Sequence, residues 1–193
     1  MARLWAVLLL APMIGGCAMQ LVQPYDAKLV SGAEAFYKKA ATMVQEGRAA
    51  SPGSDAERAA IADPSVHPAH FSRFESRYDK LIIESEALIL RAAAAELGER
   101  GADLHERIEQ AIEGLLPGPC QALAAELGPG SLTVKNFVDL KCLVLEWRRQ
   151  HADPTLTRAS GILKQANWEA RKRVLFQAVL SIQQAEGFKK GGS

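Results

Sequence analysis

The chain has 193 residues, with 23 Lys and Arg against 22 Asp and Glu, so its charge gives no reason to expect nucleic acid or a strongly charged partner. Hydrophobic residues make up 48% and charged ones 23%, which excludes wholesale disorder, and the length suits one ordinary domain with a sizeable core. Ala occurs 32 times and Leu 23 times while β-branched residues are few, a mix that predicts helices and argues against a sheet.

In chain order, the first element is an address. Residues 1–16 carry one basic residue, Arg3, followed by the apolar run 4–14. That run contains Pro12 and is far shorter than the roughly 20 residues a membrane-crossing helix needs, so 1–16 reads as a removable signal peptide. It ends in Ile14-Gly15-Gly16-Cys17, which resembles the lipobox of bacterial lipoproteins, where an aliphatic residue and two small ones precede a Cys. The resemblance implies recognition of Ile14, Gly15 and Gly16 by the signal peptidase and attachment of diacylglycerol to the Cys17 sulfur through a thioether. It covers residues 1–17 only. Several acyl chains, each buried CH₂ contributing about 0.8 kcal/mol, would make the anchor effectively permanent. Ala18, rather than Asp, after the Cys points by the same resemblance to the outer membrane, facing the periplasm, with the outer face of the inner membrane as the alternative. Residues 17–25 are then the lipidated Cys and a short tether. From Ala18 to Tyr25 the chain reaches at most ~26 Å, which keeps the folded domain close to its membrane.

A single helical domain is expected over 26–187, with a flexible tail over 188–193. Asp26 is the predicted N-cap of a helix to about Glu46, with the stripe Leu29, Ala33, Phe36, Ala40, Met43 and Gly47. Residues 47–67 read as a loop holding one short helical turn near 55–61. A long second helix is expected over 68–97, opened by Pro68 and buried through Phe71, Phe74, Tyr78, Leu81, Ser85, Leu88, Ala92 and Ala95. Short helices follow at 103–115 and 120–127. The third long helix, 131–151, is apolar on most sides and is therefore expected to be buried on most sides, any surplus apolar surface marking a partner site. Asp153-Pro154 opens the last helix, expected to run to about Glu186 on the stripe Leu156, Leu163, Ala166, Ala170, Val174, Ala178, Ser181, Ile182 and Ala185. So short a break makes a helical hairpin and places Phe137 near Trp168. The fold class that results is all-α: an antiparallel four-helix bundle with short helices inserted between the second and third long ones.

Chemistry is sparse. With Cys17 lipidated, Cys120 and Cys142 are the remaining cysteines and the candidates for a disulfide in an oxidising envelope; the alternative is two separately buried thiols. His67 and His70 flank Pro68-Ala69 and are weak metal candidates, since zinc needs three or four convergent ligands; exposed imidazoles in a helix-start loop are the plainer reading. His105-Glu106 begins a zinc-protease helix motif, but Glu109 stands where its second His belongs. No haem attachment signature, nucleophile elbow or phosphate loop occurs, so neither an enzyme nor a cofactor is expected. Arg148-Arg149 and Arg171-Lys172-Arg173 read as solvated faces, while Trp147, Trp168, Phe71 and Phe74 read as core. The sequence therefore predicts a lipid-anchored, non-enzymatic interaction or structural module of the bacterial envelope, partnered by the membrane and an envelope protein. The alternative is a helical bundle that binds a ligand or metal, using His67 and His70.

Overall fold

The structure, a computed structural model, describes residues 25–97 and 132–191. It contains the helices α1 (Ala27–Ala50), α2 (Asp55–Ala59), α3 (Glu75–Leu97), α4 (Leu132–Ala152), α5 (Pro154–Thr157) and α6 (Gln165–Gly191), and among the described residues no strand. The signal peptide, the lipobox residues 14–17, the tether up to residue 24, and the short helices expected over 103–115 and 120–127 lie outside the described residues.

The first helix starts where its cap predicts. Asp26 accepts the Lys28 backbone N–H at 2.8 Å, and its carboxylate also takes the Arg91 guanidinium at 2.8 Å. Burial opposes ionisation there, but the bonds from Arg91 and Lys28 outweigh it and hold the carboxyl below its ordinary range. The expected stripe is buried, joined by Val44, and α1 continues to Ala50, a turn past its expected end.

Two expected helices are cut short. The second begins at Glu75, not at Pro68, because residues 67–74 are recruited into contacts with a distant loop. The His70 ring accepts the Ser72 N–H, and the Phe71 N–H donates to the Gly161 carbonyl at 2.8 Å, which commits these residues to a bridge and the 3₁₀ turn Phe71–Arg73. A proline permits a helix start but does not compel one. The last helix is interrupted as well. Asp153 caps it as expected, accepting the Thr155 N–H at 2.7 Å, but α5 ends at Thr157. Arg158 (φ 51°), Ala159 (φ 60°) and Gly161 (φ 65°) then turn left-handed, and α6 starts only at Gln165. Each non-glycine residue held so costs about 1–2 kcal/mol. The gain is the complete burial of Ile162 and Leu163, each worth about 1.5–3 kcal/mol, so the detour is favourable.

That detour changes the register of α6. Trp168 stands against His151, with ring centroids 5.3 Å apart, and not opposite Phe137 as a tight hairpin would place it. The buried side of α6 carries Trp168, Arg171, Leu175, Val179, Ile182 and Glu186. Ala166, Ala170, Val174 and Ser181 of the expected stripe are exposed, as is Leu156 on α5. At the C-terminus, α6 runs through to Gly191, so the segment expected to be a flexible tail is helical that far.

The four long helices enclose one core, α1 packing on α3 and α6, and α4 on the same two. Cross-helix pairs set the directions. Lys39 meets Glu84 and Glu46 meets Arg77 between α1 and α3; Glu86 meets Lys141 at 3.0 Å and Glu75 meets Arg148 at 3.2 Å between α3 and α4. Between α4 and α6, Thr133 pairs with Glu186 and the Trp147 carbonyl with Arg171, both at 2.7 Å; between α1 and α6, Arg48 pairs with Glu169 and Ser51 with Trp168, both at 2.8 Å. In every pair of neighbours the numbering rises on one helix as it falls on the other. The exposed ion pairs among these contribute about 0–1 kcal/mol each, so they fix register more than they stabilise. Cohesion comes from the core built around Phe36, Tyr78, Phe137, Leu140, Trp168 and Leu175, all at most 1% exposed.

Candidate functional site

The most elaborate polar chemistry lies at the end of the helices that carries the 51–74 and 153–164 connections. Its centre is Arg171, read from sequence as part of a solvated basic cluster but in fact 3% exposed, while its neighbours Lys172 and Arg173 face solvent. The guanidinium donates through Nη1 to the Tyr78 hydroxyl and through Nη2 to the Trp147 carbonyl, each at 2.7 Å. No carboxylate bonds to it among the described residues. Aromatic faces take that place: the guanidinium carbon lies 4.7 Å from the Trp168 ring centroid, 5.6 Å from that of Trp147 and 5.9 Å from that of Tyr78. Desolvated cation–π contacts of this kind are worth about 2 kcal/mol.

The network continues as a chain of single donors. With Tyr78 accepting from Arg171, its own O–H donates to His151 Nδ1 at 3.0 Å, and Nε2–H of His151 donates to the Ala69 carbonyl at 3.2 Å. The tautomer follows from these partners, because a carbonyl can only accept. Burial, reinforced by the Arg171 charge, pushes the His151 imidazole down to about 3, so it is neutral at every ordinary pH. Burial likewise raises the Tyr78 phenol. Phe71, Phe74 and Trp168 close around the imidazole, their centroids 5.3–5.5 Å from its own. Tyr78 and His151 are fully buried, and their hydrogen-bonding capacity goes to one another, Arg171 and backbone. As built, the cluster joins α3, α4 and α6 to the loop that holds Ala69.

His67 and His70 are engaged in local structure. His67 Nδ1 accepts the Ala69 N–H at 3.1 Å, and His70 Nδ1 accepts from Ser72 while its ring covers Gly161. Among the described residues no three His, Cys, Asp or Glu side chains gather into a group that could hold a metal ion, and no helix is long and apolar enough to cross a membrane. Cys142 is half-buried on α4; Cys120 lies outside the described residues, as do Cys17, Ile14, Gly15, Gly16, His105 and Glu109.

The third long helix is buried on most sides, as its apolar pattern predicts. On α4 the exposed residues are Leu132, Asp139, Arg149 and Ala152, so beyond Leu132 its large apolar side chains are buried or half-buried. The outer face of α3 instead shows Ile83 (63% exposed), Ala87, Leu90 (46%) and Ala94, spaced four, three and four along one stripe. Sequence reasoning missed it because the neighbouring stripe through Tyr78, Leu81, Ser85 and Ala92 already satisfied the helical period. The run of apolar residues from Ala87 to Leu90 was the available signal that a second face was apolar too. Comparison with known proteins gives no match to any family model, curated protein or solved structure.

Proposed function

We propose that this chain is a lipid-anchored helical interaction module of the bacterial envelope, without catalytic activity, held through Cys17 at the outer membrane and facing the periplasm. Its domain is read as an antiparallel four-helix bundle with short helices inserted between the second and third long ones; the opposed numbering of the cross-helix pairs supports this. The anchor reading rests on Ile14-Gly15-Gly16-Cys17 at the end of a short apolar run. A non-enzymatic role is supported by the way Tyr78, His151 and Arg171, the most chemically capable cluster described, are bonded to one another away from solvent.

One observation carries the interaction reading: the outer stripe Ile83, Ala87, Leu90 and Ala94 of α3. Large apolar side chains repeated at helical spacing on a solvated face are what an amphipathic partner helix recognises, and the two alanines allow close approach. The test is native mass spectrometry of the lipidated protein extracted gently from its own envelope, alongside Ile83→Glu. A species heavier by one whole protein, lost in the variant while its helical circular dichroism is unchanged, supports the reading. A monomer carrying only a small adduct refutes it and moves attention to ligand binding.

A further inference from the structure

The two most exposed large apolar side chains of the described molecule, Phe188 at 82% and Leu132 at 72%, belong to the same end of it. Thr133, one residue beyond Leu132, donates to Glu186 at 2.7 Å, and Lys189 donates to the same carboxylate, so the start of α4 is tied to the end of α6. The start of α1 joins them: the ammonium of Lys190 lies 5.7 Å from the ring centroid of Tyr25, itself 38% exposed. Tyr25 is also where the tether arrives.

We propose that this end, formed by Tyr25, Leu132 and Phe188, rests on the bilayer surface with its apolar side chains among the headgroups and upper acyl chains. The inference rests on the anchored reading above and names the surface that meets the membrane. Geometry selects the end. A lipidated Cys17 places Tyr25 within ~26 Å of the bilayer, whereas the opposite end of α1 lies about 36 Å further along the helix. Chemistry agrees with geometry. Lys28 and Lys135 stand in the first turns of α1 and α4, and two acids of this end, Asp26 and Glu186, are engaged by Arg91 and Lys189. Aromatic and aliphatic side chains rimmed by lysines suit a phospholipid interface, where the ring sits at headgroup depth and the lysine stems snorkel. The tether also favours a bilayer over a soluble protein as the occupant, because it keeps the membrane at high effective concentration beside this end.

The experiment uses the full lipidated protein in vesicles of phosphatidylethanolamine and phosphatidylglycerol whose acyl chains carry bromine, a short-range quencher of indole fluorescence. Phe188→Trp reports on the proposed contact and Val66→Trp on the far end; both sites are exposed, so both variants should fold, and wild-type emission from buried Trp147 and Trp168 is the baseline. Quenching several-fold stronger at position 188 than at position 66 is the expected result. Equal or absent quenching in protein that still floats with the vesicles overturns the contact and leaves the anchor standing. Protein that does not float with the vesicles overturns the anchored reading and this inference with it.

Discussion

Gly47 on α1 lies against the indole of Trp168 on α6 so closely that a Cβ at Gly47 would stand 2.5 Å from two atoms of that ring. The ring cannot retreat. Its Nε1–H donates to the Ser51 hydroxyl at 2.8 Å, and Phe74 and His151 pack against it at centroid distances of 5.1 and 5.3 Å. In an open helix Gly→Ala would stabilise by roughly 1 kcal/mol. Here overpacking reverses the sign, and Gly47→Ala should cost about 1–3 kcal/mol, read as a lower urea midpoint with an unchanged slope. A midpoint at or above wild type would show that the ring has room after all.

Tyr78→Phe removes one oxygen and strands two buried groups, Nη1 of Arg171 and Nδ1 of His151. An unsatisfied buried polar group costs about 1–3 kcal/mol, and more when charged, so a loss of about 2–4 kcal/mol is expected. Tyr25→Phe, at the partly exposed start of the domain, should stay within about 0.5 kcal/mol of wild type. Equal stability of the two variants in chemical denaturation would refute the role assigned to the network.

His151 makes stability depend on pH below neutrality. Its folded-state value, about 3, lies below the ordinary 6.5, so it is the unfolded chain that takes up a proton first as the pH falls. The contribution is complete above about pH 6.5 and is lost as the pH drops from there toward 3, by up to about 1.4 kcal/mol per pH unit. Carboxylates such as Asp26 and Asp153, held below their ordinary range, add to the loss only further down, below about pH 4. Urea midpoints between pH 7 and 4.5 should therefore fall in the wild type and stay nearly level in His151→Gln. Parallel curves for the two proteins would exclude His151 as the source.

If the chain is exported as proposed above, Cys120 and Cys142 should form a disulfide. Closing that loop would stabilise by about 3 kcal/mol in the chain-entropy model. Intact mass should show no alkylation of either residue before reduction and alkylation of both after it. Two alkylated thiols in the unreduced, denatured protein would rule out the bond.

Some of this architecture could be read directly from the residues. Asp26 and the single stripe from Leu29 to Gly47 admit one helix and one inward face, and α1 follows them. Residues 132–152 are apolar on several sides at once, and α4 is buried accordingly. Asp153 caps as its residue type predicts. These outcomes depend on interactions within a turn or two of chain, where capping and propensity act.

What the sequence determined by itself is therefore the helical class and the identity of most long helices, since backbone bonding and apolar period are local properties. Tertiary structure decided where α3 begins, where the last segment breaks and which side of α6 faces inward. On α6 two faces have helical spacing, one through Ala166, Ala170 and Val174, the other through Trp168, Arg171, Leu175 and Ile182. A hydropathy pattern counts Arg171 and Glu186 as marks of the outside and so prefers the wrong face. The chain buries both because their partners come from other helices, Tyr78 being 93 residues away from Arg171 and Thr133 being 53 from Glu186. A charge is tolerable inside only where such partners and aromatic faces converge, and that convergence exists only once α3, α4 and α6 have packed together.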